Sequence, residues 1–342
     1  MSSQTPPTRI PEPAEAAVSA HATSGRIWPY VQIARPDHWF KNAFMLLGVV
    51  LAFFYRPDLA TLASLPTLLL AVAVSCIVAS SNYVLNELLD AHRDRHHPTK
   101  RHRPAAAGLI QPRIAIAEWL ALAVLGIGAG FAINVPFGLS AAALWVMGCA
   151  YNIPPVRTKE VPYLDVLSES VNNPIRLMLG WSCLIPSQIP PISLLLSYWM
   201  AAAFFMATKR FAEYREIGDK EVAAAYRSSF RHYDDDRLLV SMMFYVTAGA
   251  LCGGIFLVRY KLELVFSVPL VAGFFAYYLR LGLKPDSPVQ NPEKLHRERA
   301  FLVYGLLTAA VFVGLMFADL PFLYEWARVQ PAGESNLWHV PR

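Results

Sequence analysis

Apolar blocks long enough to cross a bilayer recur along almost the whole chain, and nothing else in it restricts the fold as much. Nine can be marked, at roughly 40–55, 66–85, 114–133, 136–151, 164–185, 191–208, 238–258, 264–281 and 300–318. Blocks of this length cross hydrocarbon as helices. The boundary between the third and the fourth rests on Asn134 and Pro136. With 55% hydrophobic and 16% charged residues over 342 positions, and a mean hydropathy of +0.35, an ordinary soluble domain is excluded. The expectation is an all-α polytopic membrane protein with nine transmembrane helices. Residues 1–28 read as a flexible tail, residues 29–320 as one membrane domain and residues 321–342 as a second tail. Cys76, Cys149, Cys183 and Cys252 stand singly inside apolar blocks, so they read as small core residues rather than zinc ligands or disulfides.

Charge fixes the orientation. With nine crossings, residues 1–41 and the loops 86–113, 151–162, 208–237 and 280–299 share one side, and they hold 24 of the 30 Lys and Arg. Basic loops stay cytoplasmic. The expectation is a protein of the cell (inner) membrane with its N-terminus and polar loops in the cytoplasm and its C-terminus outside.

The stretch Asn82–Gly108 is the richest in chemistry. Asn86, Asp90 and Asp94 recur every four residues, so they share one face of a helix leaving the second block. Carboxylates and an amide oxygen are hard ligands that suit Mg²⁺, which usually also holds substrate phosphates. Lys100 and Arg103 follow and suit an anionic substrate. A magnesium-diphosphate site at the mouth of the bundle is the expectation, with Asn86, Asp90 and Asp94 as the metal set. In the fifth block Asp165, Glu169, Asn172, Asn173 and Arg176 interrupt apolar sequence. Positions 165, 169, 172 and 176 line one face, either as an internal ion pair of Arg176 with Glu169 or Asp165, or lining a polar cavity, the favoured reading. Lys209, Arg210 and Glu213 close the sixth block and read as phosphate-facing. Asp234, Asp235 and Asp236 read as the acidic start of a helix. Arg35 and Lys41 enter the first span beside Trp39. The histidines at 92, 96, 97 and 102 lack metal-ligand spacing.

Asn86-Glu87-x-x-Asp90-x-x-x-Asp94, with Arg103-Pro104 and Gly108 after it, resembles the NDxxDxxxD motif of the UbiA superfamily of intramembrane prenyltransferases, over roughly residues 30–320. Glu87 stands in place of the usual Asp, and the resemblance implies that it joins Asn86, Asp90 and Asp94 in the metal set. The resemblance implies a nine-helix UbiA-like bundle whose catalytic loops face the cytoplasm. Arg35-Pro36-x-x-Trp39-x-Lys41-Asn42, His97-Pro98-x-Lys100-x-x-Arg103-Pro104 and Lys209-Arg210-x-Ala212-Glu213 are similar to the decaprenyl-phosphate phosphoribosyltransferase branch. Tyr151-Asn152-x-Pro154-Pro155-x-Arg157-x-Lys159 resembles the general prenyltransferase loop. A second aspartate-rich motif expected of the aromatic branch reads FAEYREIGD here, with Arg215 in place of its first Asp. The favoured implication is Mg²⁺-dependent transfer of 5-phosphoribose from phosphoribosyl diphosphate to a polyprenyl phosphate. The alternative is prenyl transfer from a prenyl diphosphate to an aromatic or other small acceptor. Asp90, Asp94 and Lys209 would be catalytic. Lys100, Arg103 and Arg210 would meet phosphate, Lys41, Arg157 and Lys159 the acceptor phosphate, and Asp165, Glu169 and Asn173 the ribose. Membrane lipid and an anionic diphosphate donor are the expected partners, nucleic acid is not, and homo-oligomerisation is open. A transporter without chemistry is disfavoured because the polar loops gather on one face.

Overall fold

A computed structural model of the chain describes residues 27–95, 100–290, 295, 297–329 and 337–339. The expected tail over 1–28, apart from its last two residues, lies outside the described residues, and so do His96, His97 and Pro98. Among the described residues, α1 (Trp28–Ile33) leads through a 3-10 stretch (Pro36–Met45) into α2 (Leu46–Tyr55). Then come α3 (Leu65–Asp94), α4 (Pro112–Ile133), α5 (Val135–Asn152), α6 (Leu164–Ser170), α7 (Asn172–Ser182) and α8 (Ile192–Ile217). After these follow α9 (Lys220–Tyr226), α10 (Asp235–Tyr260), α11 (Val268–Gly282), α12 (Arg299–Phe317) and α13 (Pro321–Ala327). A two-residue pair, Gln188–Ile189 (β1) against Trp338–His339 (β2), is antiparallel.

The chain is an all-α membrane protein. Among the described residues, seven stretches are helices long and apolar enough to cross a bilayer: Trp28–Tyr55, Leu62–Asp94, Pro112–Ile133, Ile192–Ile217, Asp235–Tyr260, Leu262–Gly282 and Arg299–Phe317. The fourth and fifth of the nine expected crossings are helical but fall outside this set. α5 has 18 residues, about 27 Å, and closes on Tyr151 and Asn152. The fifth is two helices that break at Val171. Pro174 explains the break, because its ring removes a donor and crowds the carbonyl four residues earlier, that of Ser170. Asn134 bounds α5 as expected: its Oδ1 accepts the Phe137 amide (2.8 Å) and its Nδ2 donates to the Ser182 carbonyl (2.9 Å), tying α5 to α7.

Lipid is as apolar as leucine, so the bundle is held by close packing rather than by hydrophobic transfer. Buried Ala71, Ser75 and Ala79 line α3, while Leu65, Leu69 and Leu70 face outward. α2 meets α7 at glycines: a methyl group on Gly48 would collide with the Leu177 carbonyl, and one on Gly180 with the Met45 carbonyl. α8 and α10 share a core of Phe204, Ala207, Phe211, Leu238, Met242 and Tyr245.

The two ends of the bundle differ. At one, Lys261 reaches Asp319 (3.0 Å) and lies over Phe54, while Glu263 accepts from Tyr324 (2.8 Å) and the Leu320 amide (3.1 Å), strapping α13 to the start of the α11 span. At the other end lie the polar loops. α3 is about 45 Å long at 30 residues, longer than the hydrocarbon, so its last turns project past the apolar zone and carry Asn86, Asp90 and Asp94.

Candidate active site

The projecting face of α3 carries the polar repeat, and a loop after α5 closes over it. Lys159 comes from this loop and is 8% exposed. Its ammonium lies 2.7 Å from Asp90 Oδ1, 2.8 Å from Asn152 Oδ1 and 3.2 Å from Asn86 Oδ1. Arg157 adds a contact to the same Asp90 oxygen at 3.0 Å and also pairs with Glu160. Asp94 pairs with Arg103 at 2.6 Å. Burial pushes the Lys159 ammonium down to about 8, although Asp90 beside it works in the opposite direction.

Three side-chain oxygens thus converge on one cation, which is the donor set a hard metal wants. Among the described residues no three acidic, histidine or cysteine side chains cluster into a protein-only metal cage. Mg²⁺ shared with substrate phosphates needs only one or two carboxylates, so the residues present fit it, with Lys159 standing where a cation belongs. Asp94 lies one turn on, held by Arg103, and Glu87 does not join them. It is 4% exposed, and its Oε1 accepts the Ala105 amide at 3.4 Å, so it braces the loop beyond α3 instead of extending the metal set. Arg157 and Lys159, expected at an acceptor phosphate, lie instead against the acidic face. Lys100 lies over the Tyr226 ring at 5.5 Å, beside the same face.

A second charged group packs behind the first. Arg210, on α8, is 2% exposed, with Glu169 at 2.9 Å, Glu213 at 3.0 Å and Asp165 at 3.5 Å. Asp165 is fully buried and its oxygens are taken: Oδ1 accepts from Tyr233 (2.7 Å), and Oδ2 accepts from Ser229 (3.1 Å) and Arg227 (3.4 Å). Two expectations change here. Arg210 is buried against three carboxylates and not turned to open space for a phosphate, and Asp165 exposes no oxygen to a sugar hydroxyl. Glu169 is different: its Oε2 accepts from Tyr151 (2.9 Å) and Arg210, and its side chain stays 36% exposed. Glu213 is shared between Arg210 and Lys209, the latter at 3.9 Å. Asn173 is half-buried on the first turn of α7.

A third group is cationic. Lys41 lies within electrostatic reach of Arg35, Lys209, Arg176 and Glu169. Arg35 in turn reaches Arg103 and Glu87, linking this group to the acidic face. Among the described residues Arg35, Lys41 and Arg176 have no carboxylate at ion-pair distance. Arg176 pairs with neither Glu169 nor Asp165; it donates to Asn42 Oδ1 (3.1 Å) and the Asn172 carbonyl (3.4 Å).

Asn152, Asn42, Tyr151, Arg227 and Tyr233 complete these groups and were not singled out from sequence as site residues. Asn42, Tyr151 and Asn152 stand inside the quoted family-like stretches, which is the signal the sequence offers for them. Arg227 and Tyr233 lie more than 60 residues beyond Asp165, at separations with no local periodicity. Asp219, the acidic residue left in the FAEYREIGD stretch, caps α9 through the Glu221 and Val222 amides. Asp234 likewise caps α10 through the Arg237 amide, as its position before an apolar block implied.

Over residues 42–295 the chain matches the model of the UbiA prenyltransferase family. It is 33% identical over 190 residues to the nodulation protein NoeC of Azorhizobium caulinodans, a match spanning 55% of this chain and just 58% of that protein. It is 28% identical over 250 residues to the decaprenyl-phosphate phosphoribosyltransferase of Mycolicibacterium smegmatis, spanning 70% of this chain and 74% of that one. The structure of a UbiA homologue from Archaeoglobus fulgidus bound to DMAPP and Mg²⁺ superposes with a TM-score of 0.62 at 21% identity, covering 84% of this chain and 97% of the other. Digeranylgeranylglyceryl phosphate synthase superposes with a TM-score of 0.59 at 14% identity, covering 85% and 97%. At these identities the structures speak for the fold.

Proposed function

The chain belongs to the UbiA prenyltransferase family, and from that premise we propose that it transfers 5-phosphoribose from phosphoribosyl diphosphate to a polyprenyl phosphate, releasing pyrophosphate. The observation that carries this reading is the cationic group of Arg35, Lys41 and Lys209, which adjoins the acidic face through Arg35 yet, among the described residues, makes no ion pair with Asp90 or Asp94. A prenyl diphosphate has one anionic end. Phosphoribosyl diphosphate has two, and the second needs its own Lys and Arg. The likeness to the mycobacterial phosphoribosyltransferase supports the same choice.

Asn86, Asp90 and Asp94 would hold Mg²⁺, which when bound neutralises the diphosphate and eases its departure. Lys159, Arg157 and Arg103 now rest on these carboxylates. They would exchange them for diphosphate oxygens, so that charge building on the leaving group meets cations already in position. Lys100 would join them from the roof of the site. Breaking the bond from the anomeric carbon to the diphosphate leaves an oxocarbenium-like centre. Glu169, half-open toward this space, and Asn173 would orient the ribose hydroxyls. A lipid phosphate oxygen then attacks, and because it is already anionic no general base is required. The basic end would face the cytoplasm and the lipid would enter from the bilayer.

A second reading, prenyl transfer to a small acceptor, draws on one observation: Arg157 and Lys159, from a loop resembling that of general prenyltransferases, are the cations that reach Asp90. Purified protein incubated with Mg²⁺, a polyprenyl phosphate and phosphoribosyl diphosphate should release pyrophosphate and raise the lipid mass by one phosphoribosyl group, and a chelator should abolish both. Turnover with a prenyl diphosphate and an aromatic acceptor, without a phosphoribosyl adduct, overturns the first reading in favour of the second.

A further inference from the structure

We propose that Arg176, Asn42 and Tyr198 form an intramembrane site for a phosphomonoester dianion, separate from the diphosphate site on the acidic face of α3. The inference rests on the phosphoribosyl-transfer reading, since both substrates of that reaction carry such a group: the 5-phosphate of the donor and the head of the lipid acceptor.

The argument is a count of donors against acceptors. A guanidinium has five N–H donors and no acceptor. Among the described residues Arg176 spends two, on Asn42 Oδ1 (3.1 Å) and on the Asn172 carbonyl at a long 3.4 Å. Asn42 is 1% exposed, and its own amide donates to Cys76 Sγ at 3.3 Å, a weak acceptor. Tyr198, on α8 and within electrostatic reach of Arg176, has a buried hydroxyl with no hydrogen-bond partner. Arg176 therefore keeps three N–H donors beyond its two bonds, Asn42 spends its amide on a weak acceptor, and the Tyr198 hydroxyl within electrostatic reach is unpartnered. A cation at membrane depth costs about 2.5–3.5 kcal/mol on insertion scales, and such residues mark substrate pathways. The nearest acid in electrostatic reach, Glu169, is already held by Arg210. A phosphate group brings three strong acceptor oxygens and the missing negative charge.

The depth fits a substrate that spans from the acidic face inward. Arg176 lies within electrostatic reach of Tyr83 and Cys76 on α3. These precede Asp90 by seven and fourteen residues, or about 10 and 21 Å along the helix. The site is also built rather than incidental. The contacts of Gly48 and Gly180 bring α2 onto α7, and the 3-10 stretch before α2 delivers Asn42 to Arg176.

The test uses full-length protein in detergent, with ribose 5-phosphate and a short polyprenyl phosphate as separate titrants. Both the Kd of each and the two KM values are measured for wild type, Arg176→Gln, Arg176→Lys and Tyr198→Phe. Hydrogen bonds to a charged group predict a rise of roughly 10- to 100-fold in one Kd and its matching KM for Arg176→Gln, with partial rescue by Lys. A change for ribose 5-phosphate assigns the site to the donor; a change for the lipid phosphate assigns it to the acceptor. Tyr198→Phe removes a single oxygen, so it carries the test if Arg176→Gln does not fold. Unchanged Kd and KM values in folded Arg176→Gln, or in folded Tyr198→Phe where Arg176→Gln does not fold, with wild-type turnover intact, overturn the site and keep the reaction. Phosphomonoester binding that depends on Arg176 in a protein that transfers only prenyl groups does the reverse.

Discussion

At Arg210 a guanidinium only 2% exposed lies among three carboxylates from two helices, Asp165 and Glu169 of α6 and Glu213 of α8. Removing one partner from such a group leaves unpaired charge in a medium that cannot solvate it, which costs about 3–5 kcal/mol. Arg210→Met is therefore expected to lower unfolding stability by that amount in detergent, read by thermal or denaturant melting. Its loss of activity should track the loss of folded protein. Asp90 is the contrast. Its side chain is 21% exposed, and the cations on it keep other partners when it is neutralised: Asn86 and Asn152 for Lys159, Glu160 for Arg157. Asp90→Asn should melt close to wild type yet lose more turnover than the roughly 10- to 100-fold typical of outer-shell metal partners. Near-normal, Mg²⁺-dependent turnover in Asp90→Asn would sink the metal assignment. The same pair shows what the sequence could reveal. Asn86, Asp90 and Asp94 were readable because one helical period places them together. The fate of Arg210 depended on carboxylates 41 and 45 residues earlier on a different helix, and no local spacing announces that.

The helices themselves were legible as apolar blocks, and Asn134 marked the junction of α4 and α5. The break at Val171 was hidden because the polar residues on either side keep a helical period across it; Pro174, a single residue within α7, is what ends α6. The approach of α2 to α7 was equally hidden, since Gly48 reads as one more small residue in an apolar run. Alanine at Gly48 should raise helix propensity by up to about 1 kcal/mol. Its methyl group, however, points at the Leu177 carbonyl, a rigid backbone atom, and overpacking of this kind costs about 1–3 kcal/mol or more. The clash wins. Gly48→Ala is expected to lower the melting temperature and, by shifting the 3-10 stretch that carries Asn42, to loosen the contact with Arg176. A variant that melts higher than wild type would show that propensity dominates and that α2 and α7 can move apart.

For the whole molecule, the two ends carry different charge, and orientation follows from where that charge lies. At one end Lys261 pairs with both Glu263 and Asp319, and Glu263 accepts from Tyr324, in a group that ties down α13. The other end collects Arg93, Arg103, Arg157, Lys159, Arg227 and the start of α9. Lys and Arg in short loops are retained on the cytoplasmic side during insertion, while carboxylates contribute little to that choice. The end bearing the acidic face of α3 should therefore be cytoplasmic and α13 should lie outside. This arrangement would also give a soluble, highly charged donor direct access to the metal motif while the lipid reaches the bundle from the side. Single cysteines test it. Asp58→Cys and Glu325→Cys, exposed at the α13 end, should react with a membrane-impermeant thiol reagent in intact cells. Arg113→Cys and Glu221→Cys, exposed at the opposite end, should react only after permeabilisation, with the parent protein as the background for the four native cysteines. Labelling in the reversed pattern would put the acidic face outside the cytoplasm, where a phosphoribosyl diphosphate donor would have to be exported to reach it, and the proposed reaction would lose its supply.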